Sequence, residues 1–161
     1  MQQRAHSRPG PDSTADVGAW FRLALRKWSD ADIWLATPLP KLVADDELDG
    51  ALLLRSMARQ VLHEAEAIFA DDTPSARAKL EYVRARSSEA PIARVARQLN
   101  MGRRTLVAIQ TRTDRLLAEL FLRKFSAARA GHKQARGDTK VAQVRHGPWT
   151  GDGRASAGAT H

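Results

Sequence analysis

Apolar residues in this chain recur at intervals of three and four, and nowhere do they alternate with period two long enough to demand a strand. That periodicity admits helices and little else. The clearest case is "DDELDGALLLRSMARQVLHEAEAIF". Its opening acids suit the positive end of a helix dipole, and Ala51, Leu54, Ala58, Val61, Leu62, Ala65, Ile68 and Phe69 follow on one face. Gly50 weakens only the beginning of this helix.

The neighbouring segments follow the same rule. Asp12, Ser13 and Thr14 offer caps for a first helix in which Val17, Trp20, Phe21, Ala24 and Trp28 face inward, and Ile33, Trp34 and Leu35 extend that core. Thr37 followed by Pro38 predicts a cap and a first-turn proline, so "TPLPKLV" reads as a short helix packing Leu39, Leu42 and Val43. After Asp71 and Asp72, Thr73 and Pro74 restart a helix whose buried side holds Ala76, Leu80 and Val83. Ser87 or Ser88 then caps a short helix carrying Ile92, Val95, Ala96 and Leu99. Beyond "NMG" a long helix aligns Leu106, Ile109, Thr113, Leu116, Leu117, Leu120 and Phe121.

The predicted fold is all-α: a compact helical domain over 14–127 that contains a helix-turn-helix at 90–121. Residues 1–13 show no periodicity and are expected to be a disordered tail. Residues 128–161, rich in Gly, Ala and basic side chains, are expected to be a second one, with Gly131 stopping the last helix.

A formal net charge of +8 favours polyanionic partners, because a basic surface concentrates phosphate near it. The chain contains no cysteine, which removes disulfides, thiol nucleophiles and Cys-ligated zinc together. No apolar run serves as a signal-peptide core or approaches membrane-spanning length, so the expectation is a cytoplasmic protein that does not engage a membrane.

The chemistry concentrates around "RQLNMGRRTL". Two short helices held at a steep angle need a small residue at their contact, apolar residues before the turn and a compact turn; Ala96, Val95, Leu99 and Asn100-Met101-Gly102 supply them. If Leu106 and Ile109 point back into the domain, Arg103, Arg104, Val107, Ala108, Thr111 and Arg112 turn outward, with Arg115 one turn further. A face of this kind suits a major groove about 12 Å wide, where arginine pairs with guanine and small apolar groups meet the thymine methyl.

Residues 92–120, "IARVARQLNMGRRTLVAIQTRTDRLLAEL", resemble the helix-turn-helix of sigma factor region four and related bacterial and phage transcription regulators. In that family a motif of the form "IA..LG.S..TV" leads into a helix containing "R....L...L". Ile92 and Ala93 match its start, Leu99 and Asn100 the positions before the turn, Met101 the turn, Thr105 and Leu106 the "TV" step, and Arg112, Leu116 and Leu120 the following helix. The resemblance implies a second helix docked in the major groove, with Arg103, Arg104, Ala108, Thr111 and Arg112 in contact. Gly102 stands where the family has Ser or Thr, which removes a capping hydroxyl.

The expected function is therefore that of a non-enzymatic, sequence-specific transcription regulator bound to double-stranded DNA. Arg104 and Arg112 would reach base edges, with Arg94, Arg97, Arg103 and Arg115 on phosphate and Thr105 beside them. The rival expectation is a protein-interaction module that docks on RNA polymerase or another partner through the amphipathic helix over 51–69, whose Leu52, Leu53 and Leu54 exceed one core-facing stripe. A homodimer is compatible with both.

No metal or other cofactor is expected. "HEAEA" from His63 carries Ala67 where a zinc-protease motif needs its second histidine, and "DDELDG" lacks calcium-loop spacing. His132, His146 and His161 are too scattered to share an ion. In the basic tail, Arg129, Lys133, Arg136, Lys140 and Arg145 could follow a phosphate backbone.

Overall fold

The computed structural model describes residues 14–71 and 73–145, with side-chain burial over 16–71 and 73–141. The first helix, α1 (Thr14–Ala24), runs into a single 3₁₀ turn over Leu25–Lys27 and is followed by α2 (Ala31–Leu35) and α3 (Pro40–Val43). Then come α4 (Glu47–Ile68), α5 (Pro74–Ser87), α6 (Ile92–Leu99) and α7 (Arg103–Arg145). Among the described residues there is no strand, and no helix is long and apolar enough to cross a membrane.

The helices α4 and α7 touch each other and gather the rest: α2, α3 and α5 pack on α4, while α1, α3 and α5 pack on α7. The inward face of α4 is the expected one, with Ala51, Leu54, Ala58, Val61, Leu62 and Ala65 buried; Ile68, by contrast, is 52 % exposed. The inner end of the core is aromatic. Phe121 of α7 stacks on Phe21 of α1 with centroids 4.3 Å apart and on Trp34 of α2 at 5.7 Å. Truncating such a ring to alanine removes about 3–5 kcal/mol of packing.

Two indoles lace the loops to this core. Trp34 Nε1 donates to the Trp28 carbonyl at 2.8 Å, and Trp28 Nε1 donates to the Arg86 carbonyl at the end of α5 at 2.9 Å. Both donors are buried, so each would be left unpaired without its acceptor.

Local chemistry sets the helix starts. Asp46 caps α4 by accepting from the N–H groups of Leu48 and Asp49, and Thr73 caps α5 through the N–H of Ala76. Thr37 Oγ1 does accept from Leu39 N, yet the proline in the first turn of α3 is Pro40 rather than Pro38. Asp12 and Ser13, the other expected caps of α1, lie outside the described residues, and Thr14 is already helical. Gly50 does more than weaken a helix start. A Cβ there would sit 2.4 Å from the Pro40 carbonyl oxygen, so only glycine lets α3 cross this close to α4.

The carboxyl-terminal part departs from expectation. Where a disordered tail was expected from residue 128, α7 continues through Gly131 and Gly137 to Arg145. At 1.5 Å per residue its 43 residues reach about 65 Å. Extending a helix already nucleated by buried Leu117, Phe121 and Phe125 needs no new nucleus, and two glycines at about 1 kcal/mol each do not outweigh the Ala, Arg, Lys and Gln between them. Asp45, before α4, lies 3.7 Å from His132 Nε2 and 3.4 Å from Arg136 Nε, long contacts to a carboxylate open to solvent that add little to the hold on the extension. Residues 1–13 and 146–161 lie outside the described residues.

Candidate nucleic-acid interface

The segment that carries the sequence's chemistry begins where α5 ends. Ser88, expected to cap the next helix, instead closes α5: its N–H bonds the Arg84 carbonyl. Glu89 follows in the left-handed region at φ 55°, and Ala90 N reaches back to Ala85 O at 2.8 Å. Pro91 then occupies the cap position of α6 in an extended conformation. A proline loses nothing there, since the first N–H groups of a helix lack helical partners.

The end of α6 uses the same device. Asn100 takes φ 49°, and Met101 N bonds Ala96 O at 3.1 Å, so the expected break is a left-handed asparagine stop. Gly102 precedes α7, and its carbonyl accepts from Leu106 N at 3.1 Å. A small core of Ala85, Val95 and Leu106, with Ile92, Ala96 and Leu99 leaning on it, joins α5, α6 and the first turns of α7.

All ten residues expected to contact a ligand lie on the surface: Arg94 and Arg97 on α6, and Arg103, Arg104, Thr105, Val107, Ala108, Thr111, Arg112 and Arg115 on α7. Buried Leu106, Thr113 and Leu117 fix the rotation of α7, which leaves Arg104, Ala108, Thr111 and Arg115 on one outward stripe, with Arg112 beside it. Val107 is 49 % exposed, an apolar contact point among the arginines. Thr111 Oγ1 donates to its own helix at Val107 O, 2.9 Å, so its methyl and oxygen lone pairs are what it can offer outward. Arg115 Nε lies 3.5 Å from Glu119 in a pair open to solvent, which holds the guanidinium only weakly.

A second group of charges was not anticipated from sequence. Tyr82 donates its hydroxyl proton to Asp114 Oδ1, and Arg86 Nε donates to the same Tyr82 oxygen at 3.0 Å. Arg86 is buried, its guanidinium 5.2 Å from the centroid of the Tyr82 ring. Burial, followed by the Asp114 carboxylate, pushes the Tyr82 pKa well up. Burial also raises Asp114, against the opposing pull of the Tyr82 hydrogen bond and of Arg86, Arg22 and Arg26. The only trace of this in sequence is the i, i+4 spacing of Tyr82 and Arg86.

The other titratable motifs resolve into ordinary contacts. Glu64 of "HEAEA" pairs with Lys124 at 3.0 Å, and Glu66 accepts from Ser87 Oγ at 3.3 Å. Among the described residues no three His, Cys, Asp or Glu side chains gather as a metal site. Comparison of the chain with protein-family models, with curated proteins and with solved structures gave no match.

Proposed function

We propose that this chain is a sequence-specific regulator of transcription that binds double-stranded DNA, with the first turns of α7 in the major groove and α6 across the backbone. The carrying observation is charge and exposure together: residues 92–113 contain five arginines and no carboxylate, and every one of those arginines is exposed. A surface of this kind binds a polyanion and is poorly suited to an apolar partner. Arg103 and Arg104 sit at the positive end of the α7 dipole, a placement that costs a few tenths of a kcal/mol and that a bound phosphate relieves.

In this reading Arg104 and Arg112 reach base edges, Val107, Ala108 and the Thr111 methyl meet apolar base surface, and Arg94, Arg97, Arg103 and Arg115 hold phosphates. The protein acts without catalysis, and RNA polymerase or a second copy of the chain are the partners such a regulator engages. Docking through α4 is less well supported. Most of its apolar face is turned inward; the exposed pair Leu48 and Leu52 near its start, Leu53 and the distant Ile68 do not join into one continuous apolar stripe.

Selection of duplexes from a randomised pool by the purified chain tests the proposal. Enrichment of a motif that Arg104→Ala with Arg112→Ala abolishes is the expected result. Failure to enrich any motif overturns it.

A further inference from the structure

Beside the outward stripe of α7 lies a cleft of about 450 Å3 between α1, α5 and α7, lined by Arg22, Arg26, Arg86, Gln110, Asp114 and Leu23 among others. Three guanidinium groups therefore meet one carboxylate. Arg22, near the end of α1, and Arg26, in the 3₁₀ turn that continues it, are four positions apart and exposed, and neither makes a salt bridge among the described residues. Arg86 is 6 % exposed and held by its Nε bond to Tyr82. That bond uses Nε alone, and the two terminal amino groups carry the other four N–H donors of the guanidinium.

We propose that this cleft binds a phosphoryl group, with Arg86 as the fixed donor, Arg22 of α1 and Arg26 of the following 3₁₀ turn closing from the other side, and Asp114 as the built-in competitor for the same arginines. Planar guanidinium forks match phosphate oxygens two at a time, and three of them against a single carboxylate leave an excess of positive charge for an anion to neutralise. The tyrosine hydroxyl that donates to Asp114 satisfies one carboxylate oxygen from within the protein, so Asp114 need not claim all three arginines.

The cleft's position suggests how a nucleic-acid backbone could supply the phosphoryl group. Arg103, Val107, Gln110 and Asp114 follow one another at steps of four, three and four along α7, a stripe that runs from its first turn into the cleft. A free phosphate has the same chemistry, and the cleft's anion binding does not depend on the groove contact proposed above.

The test titrates the full chain with inorganic phosphate and, separately, with a duplex of unrelated sequence. Arg22→Ala with Arg26→Ala should weaken binding about tenfold or more, since each arginine contributes charge-assisted hydrogen bonds. Asp114→Asn, which keeps an oxygen acceptor for Tyr82 and removes the competing charge, should tighten it. Opposite shifts in the duplex titration assign the phosphoryl group to a nucleic-acid backbone; opposite shifts with inorganic phosphate alone assign it to a free phosphate. Shifts of the same sign in both variants, or none with either probe, overturn the proposal. Arg104→Ala with Arg112→Ala should leave the phosphate titration unchanged, which separates failure of the cleft from failure of the groove reading.

Discussion

Glu89 holds Ser29 across the molecule: one carboxylate oxygen accepts both the Ser29 backbone N–H at 2.9 Å and its hydroxyl at 2.7 Å. Glu89 does this from the left-handed region, which disfavours a side chain by roughly 1–2 kcal/mol, so the contact offsets local strain at the hinge between α5 and α6. Glu89→Ala keeps the strain and loses both hydrogen bonds; a destabilisation of about 1–2 kcal/mol is expected in urea unfolding. Glu89→Gly, which relieves the backbone, should be milder. Equal stability of the alanine variant and the wild type would show that the contact contributes nothing.

Two glycines should respond in opposite ways. At Gly102 a Cβ meets nothing within 4 Å and φ is not positive, so Gly102→Ser supplies a capping hydroxyl and restricts the unfolded chain, for a gain of roughly 0.5–1 kcal/mol. At Gly50 the new Cβ would meet the Pro40 backbone, and Gly50→Ala should lose about 1–3 kcal/mol or more. Thermal melts of the two variants should move in opposite directions.

The raised pKa of Asp114 links stability to pH. The folded chain holds this proton more tightly than the unfolded chain, so the contribution is fully present below the ordinary carboxylate value of 3.8 and is lost as pH rises through the folded value. The stability of the wild type relative to Asp114→Asn should therefore fall as pH rises through that window. A difference that is flat with pH, or that grows, contradicts the buried placement of this carboxylate.

Under the proposed function, Arg94 and Arg97 on α6 would hold phosphates and not bases. Replacing both with alanine should weaken all duplexes alike and reduce the slope of log affinity against log salt by about 2. Altered preference among sequences would move them to base contact.

Residues 128–145 should contribute helix in solution. A chain ending at residue 127 should lose far-ultraviolet circular dichroism in proportion to that segment, together with the contacts of Asp45 to His132 and Arg136. An unchanged helical signal would return this segment to the disordered state that its composition suggests.

The helices over 47–68 and 103–125 were legible because their apolar periodicity is strong and local: Leu54, Val61 and Leu62, like Leu117 and Phe121, are buried as their spacing requires. Exposure of the arginines around the Asn100-Met101-Gly102 turn followed from the same period, since residues opposite Leu106 and Thr113 have nowhere to go but outward. Tertiary structure alone decided the rest. The necessity of Gly50 comes from Pro40 on another helix, the strained Glu89 is held by Ser29 sixty positions away, and the joining of Arg22, Arg86 and Asp114 in one cleft depends on how α1, α5 and α7 pack. The persistence of α7 to Arg145 belongs with these, because composition measures a segment alone whereas helix already formed on a buried core removes the need to nucleate. Periodicity assigns each residue a side of its own helix; which side of another helix it meets is set by packing across the chain.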